Sequence, residues 1–416
     1  MTIFFYSPRE NRYSINALLA AAEDFIIKQK IQVYICFDET ELIETLSTIT
    51  SETLKVVVLS FFSTQLWDIE CLVKRIKDTT DAIVVAGGPH PTGIPEKTLS
   101  MGVDYVVRGE GEEVFTRLLF SLIRGDDPSS LKGLSFKSER GMIINNGMAN
   151  PVDLDSFRPY PYKFQRFGPV EITRGCPFGC HYCQTPRLFK GRIRHRSIEK
   201  IVEAVEERLK RGLTDIRFIT PNALSYGSID GRQVNLKAIE ELLKSIRDVL
   251  ADEGRIFFGS FPSEVRPEQI TEEVLEVLKR YVDNDNLVVG AQSGSNRILE
   301  LCHRGHTVDD VLRAVRLGIK AGFKMNVDFI FSLPGEDERD IRETEEFILD
   351  LVSLGARVHA HTFMPLPQTP FQKQRPREID KRYIKLINRL MPRGVVFGDW
   401  QRQAAIAYRL YQFLSA

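Results

Sequence analysis

Three cysteines carry the strongest chemical signal in this chain. Cys176, Cys180 and Cys183 fall within eight residues in the spacing C-x3-C-x2-C, and only six cysteines occur in all 416 residues. Gly175, Pro177 and Gly179 predict a turn rather than a helix here, after a short strand-like run at 170–173. Three thiolates so close converge on one point, and their softness suits an iron–sulfur cluster, zinc or copper(I). A structural zinc site wants four closed ligands. No fourth cysteine lies nearby, and His181 sits between two of the cysteines, where the short loop would strain to point all four inward. A 4Fe–4S cluster held by three cysteines keeps one iron for an outside ligand.

The spacing, with aromatic Tyr182 just before the last cysteine, resembles the radical SAM superfamily. The resemblance implies that the free iron chelates S-adenosylmethionine (SAM), whose reduction yields methionine and a 5′-deoxyadenosyl radical. It places Tyr182 against the adenine; taken alone, Tyr182 is a packing aromatic.

The elements that must position this loop divide into two alternating patterns. In the first, apolar strand-like runs at 2–6, 32–36, 56–60, 82–86 and 105–107 alternate with helical patterns at 15–28, 39–47, 66–77 and 95–101. The third and fourth runs are continuously apolar, as parallel strands buried on both faces require. This predicts a Rossmann-like α/β domain over 1–124, binding its ligand at the carboxyl ends of the strands. Those ends carry Ser60, then Gly87-Gly88-Pro89-His90, then Gly109-Glu110-Gly111-Glu112. Glycines there let a backbone approach a flat ligand closely, and they also serve ordinary tight turns. Together these loops resemble the cobalamin-binding domain fused to radical SAM enzymes, which implies that they surround the corrin ring and its nucleotide tail. The D-x-H-x-x-G motif, whose histidine replaces the lower cobalt ligand, is absent; the first loop reads Ser7-Pro8-Arg9-Glu10-Asn11.

Residues 125–169 read as a hairpin followed by a stiff, proline- and aromatic-rich linker. A second alternation runs over 170–372, with strands expected at 170–173, 215–219, 256–260, 287–290, 325–331 and 358–363. Six repeats predict an open parallel (β/α)6 barrel, whose chemistry sits at the carboxyl ends of its strands. Residues 373–416 read as a short helical tail. Asn222 with Ser225-Tyr226-Gly227, Gln292-Ser293-Gly294-Ser295, Arg304-Gly305-His306-Thr307 and Pro334-Gly335-Glu336 resemble the barrel core of radical SAM methylthiotransferases and their cobalamin-fused relatives. By that resemblance Asn222, Glu264, Gln292, Ser293 and Arg304 contact the sugar or methionine end of SAM. Each alone is equally a cap or turn residue. The basic stretch 187–196 reads as a solvated or salt-bridged face ahead of an anion contact.

Composition narrows the classes. Lys plus Arg (56) equals Asp plus Glu (56), so the chain lacks the basic footprint of a general nucleic-acid binder. No apolar run reaches the roughly 20 residues of a membrane span, and the N-terminus has no basic region of the signal-peptide kind. Few cysteines beside an oxidisable site suit a reducing cytoplasm. Cys36, Cys71 and Cys302 are scattered, so the second cluster of a methylthiotransferase is not expected.

These readings lead to a cobalamin-dependent radical SAM enzyme, a methyltransferase acting on an unactivated carbon. The alternatives are another cobalamin-assisted radical reaction, methylthio transfer, and a non-catalytic cobalamin sensor. The implied cofactors are a 4Fe–4S cluster, SAM and cobalamin; the implied partners are a flavodoxin- or ferredoxin-type electron donor and an unidentified substrate. No side-chain acid–base pair stands out.

Overall fold

The computed structural model describes every residue except Ser51, Asp252 and Ala416. It forms two compact units, Met1–Gly168 and Pro169–Ala416.

The first unit is built on one sheet. Its elements are β1 (Thr2–Tyr6), α1 (Arg12–Lys28), β2 (Gln32–Cys36), α2 (Glu39–Thr48), β3 (Lys55–Ser60), α3 (Leu66–Thr79), β4 (Ile83–Gly87), α4 (Pro89–Gly93), α5 (Pro95–Ser100), β5 (Tyr105–Val107), α6 (Gly111–Arg124), β6 (Leu134–Lys137) and β7 (Ile143–Asn145). The strand order is β2-β1-β3-β4-β5-β6-β7. β1 to β5 are parallel, as the buried Val56-Val57-Val58-Leu59 run of β3 requires. Helices α1 and α6 cover one face through Ile15, Leu19, Ile26, Phe115 and Leu118, all buried in a common core.

Two differences from the sequence reading stand out. The hairpin expected in a joint instead extends the first sheet, because β6 pairs antiparallel with β5 and leaves Leu134 and Phe136 buried. The segment behind it is also part of this unit. The buried carboxylate of Glu23 on α1 accepts from the Lys163 and Phe164 backbone N–H groups and pairs with Arg158 at 3.1 Å. Arg166 donates to Asn16 and Ser7. A carboxylate with several donors of this kind fixes a segment far more firmly than proline content does.

The second unit runs β8 (Val170–Glu171), β9 (Thr173–Arg174), α7 (Thr185–Leu188), β10 (Arg194–His195), α8 (Ile198–Leu209), β11 (Asp215–Ile219), α9 (Leu236–Leu250), β12 (Arg255–Phe257), α10 (Glu272–Tyr281), β13 (Asn286–Gln292), α11 (Asn296–Leu301), α12 (Val308–Lys320), β14 (Lys324–Phe331), α13 (Glu338–Ser353), β15 (Arg357–Thr362), α14 (Lys381–Leu390), β16 (Val396–Phe397) and α15 (Trp400–Ser415). Strands β8, β11 and β12 pair in parallel, as do β13, β14, β15 and β16. A parallel bridge from Val265 to Val289 and the Val288 N–H to Gly259 carbonyl bond (3.0 Å) join the two sets. The result is a partial (β/α) barrel. β12 stops at Phe257, short of the expected residue 260, because Gly259 turns the chain at φ +68°. The tail adds a strand as well as helices: β16 extends the sheet beside β15, and Gln403 of α15 accepts from the Thr362 N–H at 2.8 Å.

Side-chain alternation identifies the barrel interior. Met325 points at Gly318 of α12, and Phe329 packs edge-on against Phe347 of α13. The other face of β14, with Asn326, Asp328 and Ile330, therefore looks inward. Asp328 is in register with Gly290 on one side and His359 on the other, so all three share that interior layer.

Candidate active site around the cysteine loop

The cysteine loop leaves β9 through Gly175. This glycine has φ +91°, and a Cβ on it would lie 1.9 Å from the Arg192 carbonyl, so no other residue fits. Three ties then hold the loop: the His181 N–H donates to the Cys302 carbonyl (3.0 Å), the Phe371 N–H donates to the His181 carbonyl (3.2 Å), and the Cys183 N–H donates to the Cys180 carbonyl (3.2 Å). The His181 ring stacks on His303 and meets Phe371 edge-on. His181 is thereby occupied in packing. The basic stretch also serves the loop: Arg196 is buried and donates to the Glu171 carbonyl, and Arg187 donates to the Gly179 carbonyl. Arg187 and Arg196 thus have structural roles, while Lys190 and Arg192 are exposed, as expected of a solvated face.

Cys180 is buried, and Cys176 and Cys183 are partly buried. Burial raises the Cys176 thiol and pushes that of Cys183 up to about 12. Bare thiolates are thus disfavoured, and a metal that displaces the thiol protons removes that penalty. Arg304 reaches this loop from the end of α11. Its Nη1 lies 3.6 Å from Cys180 Sγ and its Nη2 donates to the Gly290 carbonyl at 2.7 Å. Burial works against its charge, yet Tyr182, Cys180 and Glu264 face it and hold its pKa well above the ordinary arginine value.

Gly290 explains how these groups fit together. A Cβ there would sit 2.5 Å from Arg304 Nη2, 2.7 Å from Gln292 Nε2 and 3.5 Å from Glu264 Oε2. The missing side chain is what lets three polar ends meet in the interior layer. Burial raises the Glu264 carboxyl to about 6, with Arg304 and Arg266 opposing the rise and Asp328 adding to it. Two buried atoms here have no hydrogen-bond partner, the Tyr182 hydroxyl and Arg304 Nε. Buried polar atoms are ordinarily satisfied, so such a pair of exceptions marks a place where a ligand belongs.

The comparisons with known proteins agree with this geometry. The radical SAM superfamily matches residues 170–348, and the B12 binding domain matches residues 13–119. The chain belongs to the radical SAM superfamily of enzymes and carries a B12 binding domain. An uncharacterized protein of Methanocaldococcus jannaschii is 29% identical over 76% of this chain and 70% of its own length. An uncharacterized methyltransferase of Pyrococcus horikoshii is 28% identical over 70% of this chain and 63% of its own. The structure of the radical SAM methyltransferase TsrM from Kitasatospora setae, with cobalamin and a [4Fe-4S] cluster bound, matches with a TM-score of 0.69 at 19% identity. That match covers 89% of this chain and 73% of TsrM, and it speaks for the fold.

Of the residues expected at SAM in this radical SAM barrel, Glu264, Gln292 and Arg304 meet around Gly290, and Tyr182 faces Arg304. Asn222 and Ser293 also have protein partners of their own. The Asn222 amide donates to Gln269 (2.7 Å) and its oxygen accepts from the Arg266 N–H, which ties two strand-end loops together. Ser293 Oγ contacts Thr344 Oγ1 on α13 (3.4 Å) and accepts from the Ser295 N–H. Sequence reading missed Arg266, whose guanidinium lies 3.5 Å from the centre of the Phe178 ring in the cysteine loop and donates to the Arg304 carbonyl. It also missed the inward trio Asp328, His359 and His361. The His-x-His spacing on an alternating strand was the available signal for that trio.

In the B12 binding domain the expected residues divide. Gly87, Gly88, Pro89, Gly109 and Gly111 are partly exposed at strand ends, near exposed Phe62. Ser60, His90, Glu110 and Glu112 are buried. His90 stacks on Phe61 and bonds Ser63 Oγ at 2.8 Å, and Glu110 accepts from the Val152 N–H at 3.1 Å. Bare backbone with an aromatic beside it suits the face of a large macrocycle.

Proposed function

We propose that this chain is a cobalamin-dependent methyltransferase that uses SAM radical chemistry to methylate an unactivated carbon. The observation that supports this most is the meeting of Arg304, Glu264 and Gln292 beside Cys180, in a chain whose other unit matches the B12 binding domain. Cys176, Cys180 and Cys183 would hold a 4Fe–4S cluster through their thiolates. Tyr182, Asn222, Glu264, Gln292, Ser293 and Arg304 are the candidates for SAM. Ser60, Gly87, Gly88, Pro89, His90, Gly109, Glu110, Gly111 and Glu112 form the loops proposed for cobalamin, with the four buried side chains shaping those loops.

When bound, the cluster with SAM supplies a radical able to break a C–H bond, and cobalamin supplies the methyl group. The chain's own residues bind and orient. Arg304 neutralises negative charge at the Cys180 thiolate and keeps its position through the Gly290 carbonyl. Gly175 sets the path of the cysteine loop. Burial around Arg304 and Tyr182 excludes water, which strengthens every charge–charge contact inside and protects a reactive intermediate. Among the described residues no helix is long and apolar enough to cross a membrane. A flavodoxin- or ferredoxin-type protein in the cytoplasm is the proposed electron source. Methylthio transfer is disfavoured, because Cys36 and Cys71 lie on different elements of the first unit and Cys302 lies in the second.

The test is anaerobic turnover of protein loaded with iron, sulfide and cobalamin, followed by mass spectrometry with SAM and reductant. Formation of both 5′-deoxyadenosine and S-adenosylhomocysteine supports methyl transfer. 5′-Deoxyadenosine alone, with substrate modified but not methylated, assigns another radical reaction.

A further inference from the structure

A second donor set lies inside the barrel on residues the proposed SAM chemistry does not use. Asp328 on β14 and His359 and His361 on β15 bring one ligand atom each within 4.8 Å of one another, all partly buried. His359 Nδ1 is 3.0 Å from Asp328 Oδ1 and 3.1 Å from His361 Nε2. The register explains the grouping: Asp328 pairs with His359 across the sheet, and His361 follows two residues on, on the same face.

Hydrogen bonds alone cannot satisfy this set. Gln403 Oε1 accepts the Thr362 N–H at 2.8 Å, so its amide nitrogen is the atom that faces His361 Nδ1 at 3.2 Å. That nitrogen is a donor, so His361 Nδ1 accepts and the neutral ring carries its proton on Nε2. His361 Nε2 then donates to His359 Nδ1, which must be unprotonated. Asp328 Oδ1 and His359 Nδ1 are left facing each other as two acceptors. Two residues along β14, Asn326 Oδ1 is buried on the same interior face with no hydrogen-bond partner. A cation is the group that all these lone pairs could share.

The spacing selects the kind of cation. Ligands about 2.1 Å from one metal ion lie roughly 3.0 Å apart in octahedral and 3.4 Å apart in tetrahedral coordination. Acceptors around a substrate ammonium, each about 2.9 Å from its nitrogen, lie roughly 4.7 Å apart. Two of the three spacings, 3.0 and 3.1 Å, are too short for an ammonium and match a metal ion; the third lies within 4.8 Å. We propose that Asp328, His359 and His361 form a binding site for one divalent first-row transition metal, distinct from the cysteine loop, with its remaining positions open to the barrel interior. On binding through Nε2, the neutral His361 ring carries its proton on Nδ1, so the Gln403 amide must turn its oxygen toward that proton. The proposal stands independently of the SAM reading.

The test titrates cobalt(II) into full-length protein whose iron–sulfur cluster has been reconstituted and excess metal removed. One cobalt per chain is expected, with ligand-field bands of nitrogen and oxygen donors. Cobalt X-ray absorption on the parent protein, which needs no variant, is expected to show two imidazoles and no sulfur. His359→Gln with His361→Gln should weaken binding at least 100-fold while cluster iron stays unchanged. Binding that survives in that double variant, thiolate charge-transfer bands, a sulfur shell, or no cobalt retained by the parent would overturn the site.

Discussion

The strand-end loops of the two units solve opposite problems. In the first unit the polar side chains are paired with each other. His90 is spent on Ser63 and Phe61, Glu110 on the Val152 N–H, and Asn11 on Gln65. What the loops leave open is glycine backbone. In the second unit the polar groups crowd into the interior with atoms unpaired, at Tyr182, Arg304 and Asn326. A large, flat cofactor is gripped through surface and shape, so its pocket can be internally satisfied. A small, charged cofactor must be met by charge, so its pocket is incomplete without it.

Arg304→Ala should break this contrast hardest. It removes the charge beside Cys180 and frees the Gly290 carbonyl, and it is expected to slow 5′-deoxyadenosine formation by about 100- to 1,000-fold, the scale of losing a preorganised electrostatic contact. Single-turnover assays with iron content measured in parallel would separate this from cluster loss. His90→Ala tests the other side. A buried, paired ring should cost about 3 kcal/mol in urea unfolding, yet shift cobalamin affinity no more than about threefold. A large loss of affinity with unchanged stability would make His90 a contact and erase the contrast. Gly88→Ala is the smaller, sharper probe. Its Cβ would lie 2.9 Å from both the Phe61 nitrogen and Ser60 Oγ at φ +93°. Strain of about 1–3 kcal/mol and weaker cobalamin binding should appear together.

The smallest effect concerns a buried carboxyl behind the barrel site. Burial raises Glu336 from the usual 4.5 to about 8, although the Tyr383 hydroxyl opposes the rise. The folded carboxyl then holds its proton more tightly than the unfolded one. Between those two values the native state binds more protons, so stability falls as pH rises through that window. Glu336→Gln should flatten this slope in unfolding curves taken across it.

Much of this was legible in the sequence, for physical reasons that also mark where it failed. Parallel strands buried on both faces must be apolar throughout, so β3 and β4 announced themselves, and the cysteine spacing announced the loop. The roles of Asn222, Ser293 and His90 were not legible, because a polar residue at a strand end is the same letter whether it faces a ligand or a neighbouring helix. Their protein partners, Gln269, Thr344 and Ser63, are distant in sequence and come from the fold alone. The hairpin at 134–145 was legible as a hairpin, but its attachment to β5 is a long-range choice. The Asp328–His359–His361 trio depends on register between two strands 31 residues apart. The local His-x-His spacing puts His359 and His361 on one face, but it does not carry the place of Asp328 beside them.

The measurement that bears most directly on the central claim is anaerobic turnover of the reconstituted protein, comparing the parent with Cys176→Ala, Cys180→Ala and Cys183→Ala combined. The account predicts about four irons per chain and 5′-deoxyadenosine from the parent, and neither from the variant. A variant that binds iron and cleaves SAM like the parent would contradict it.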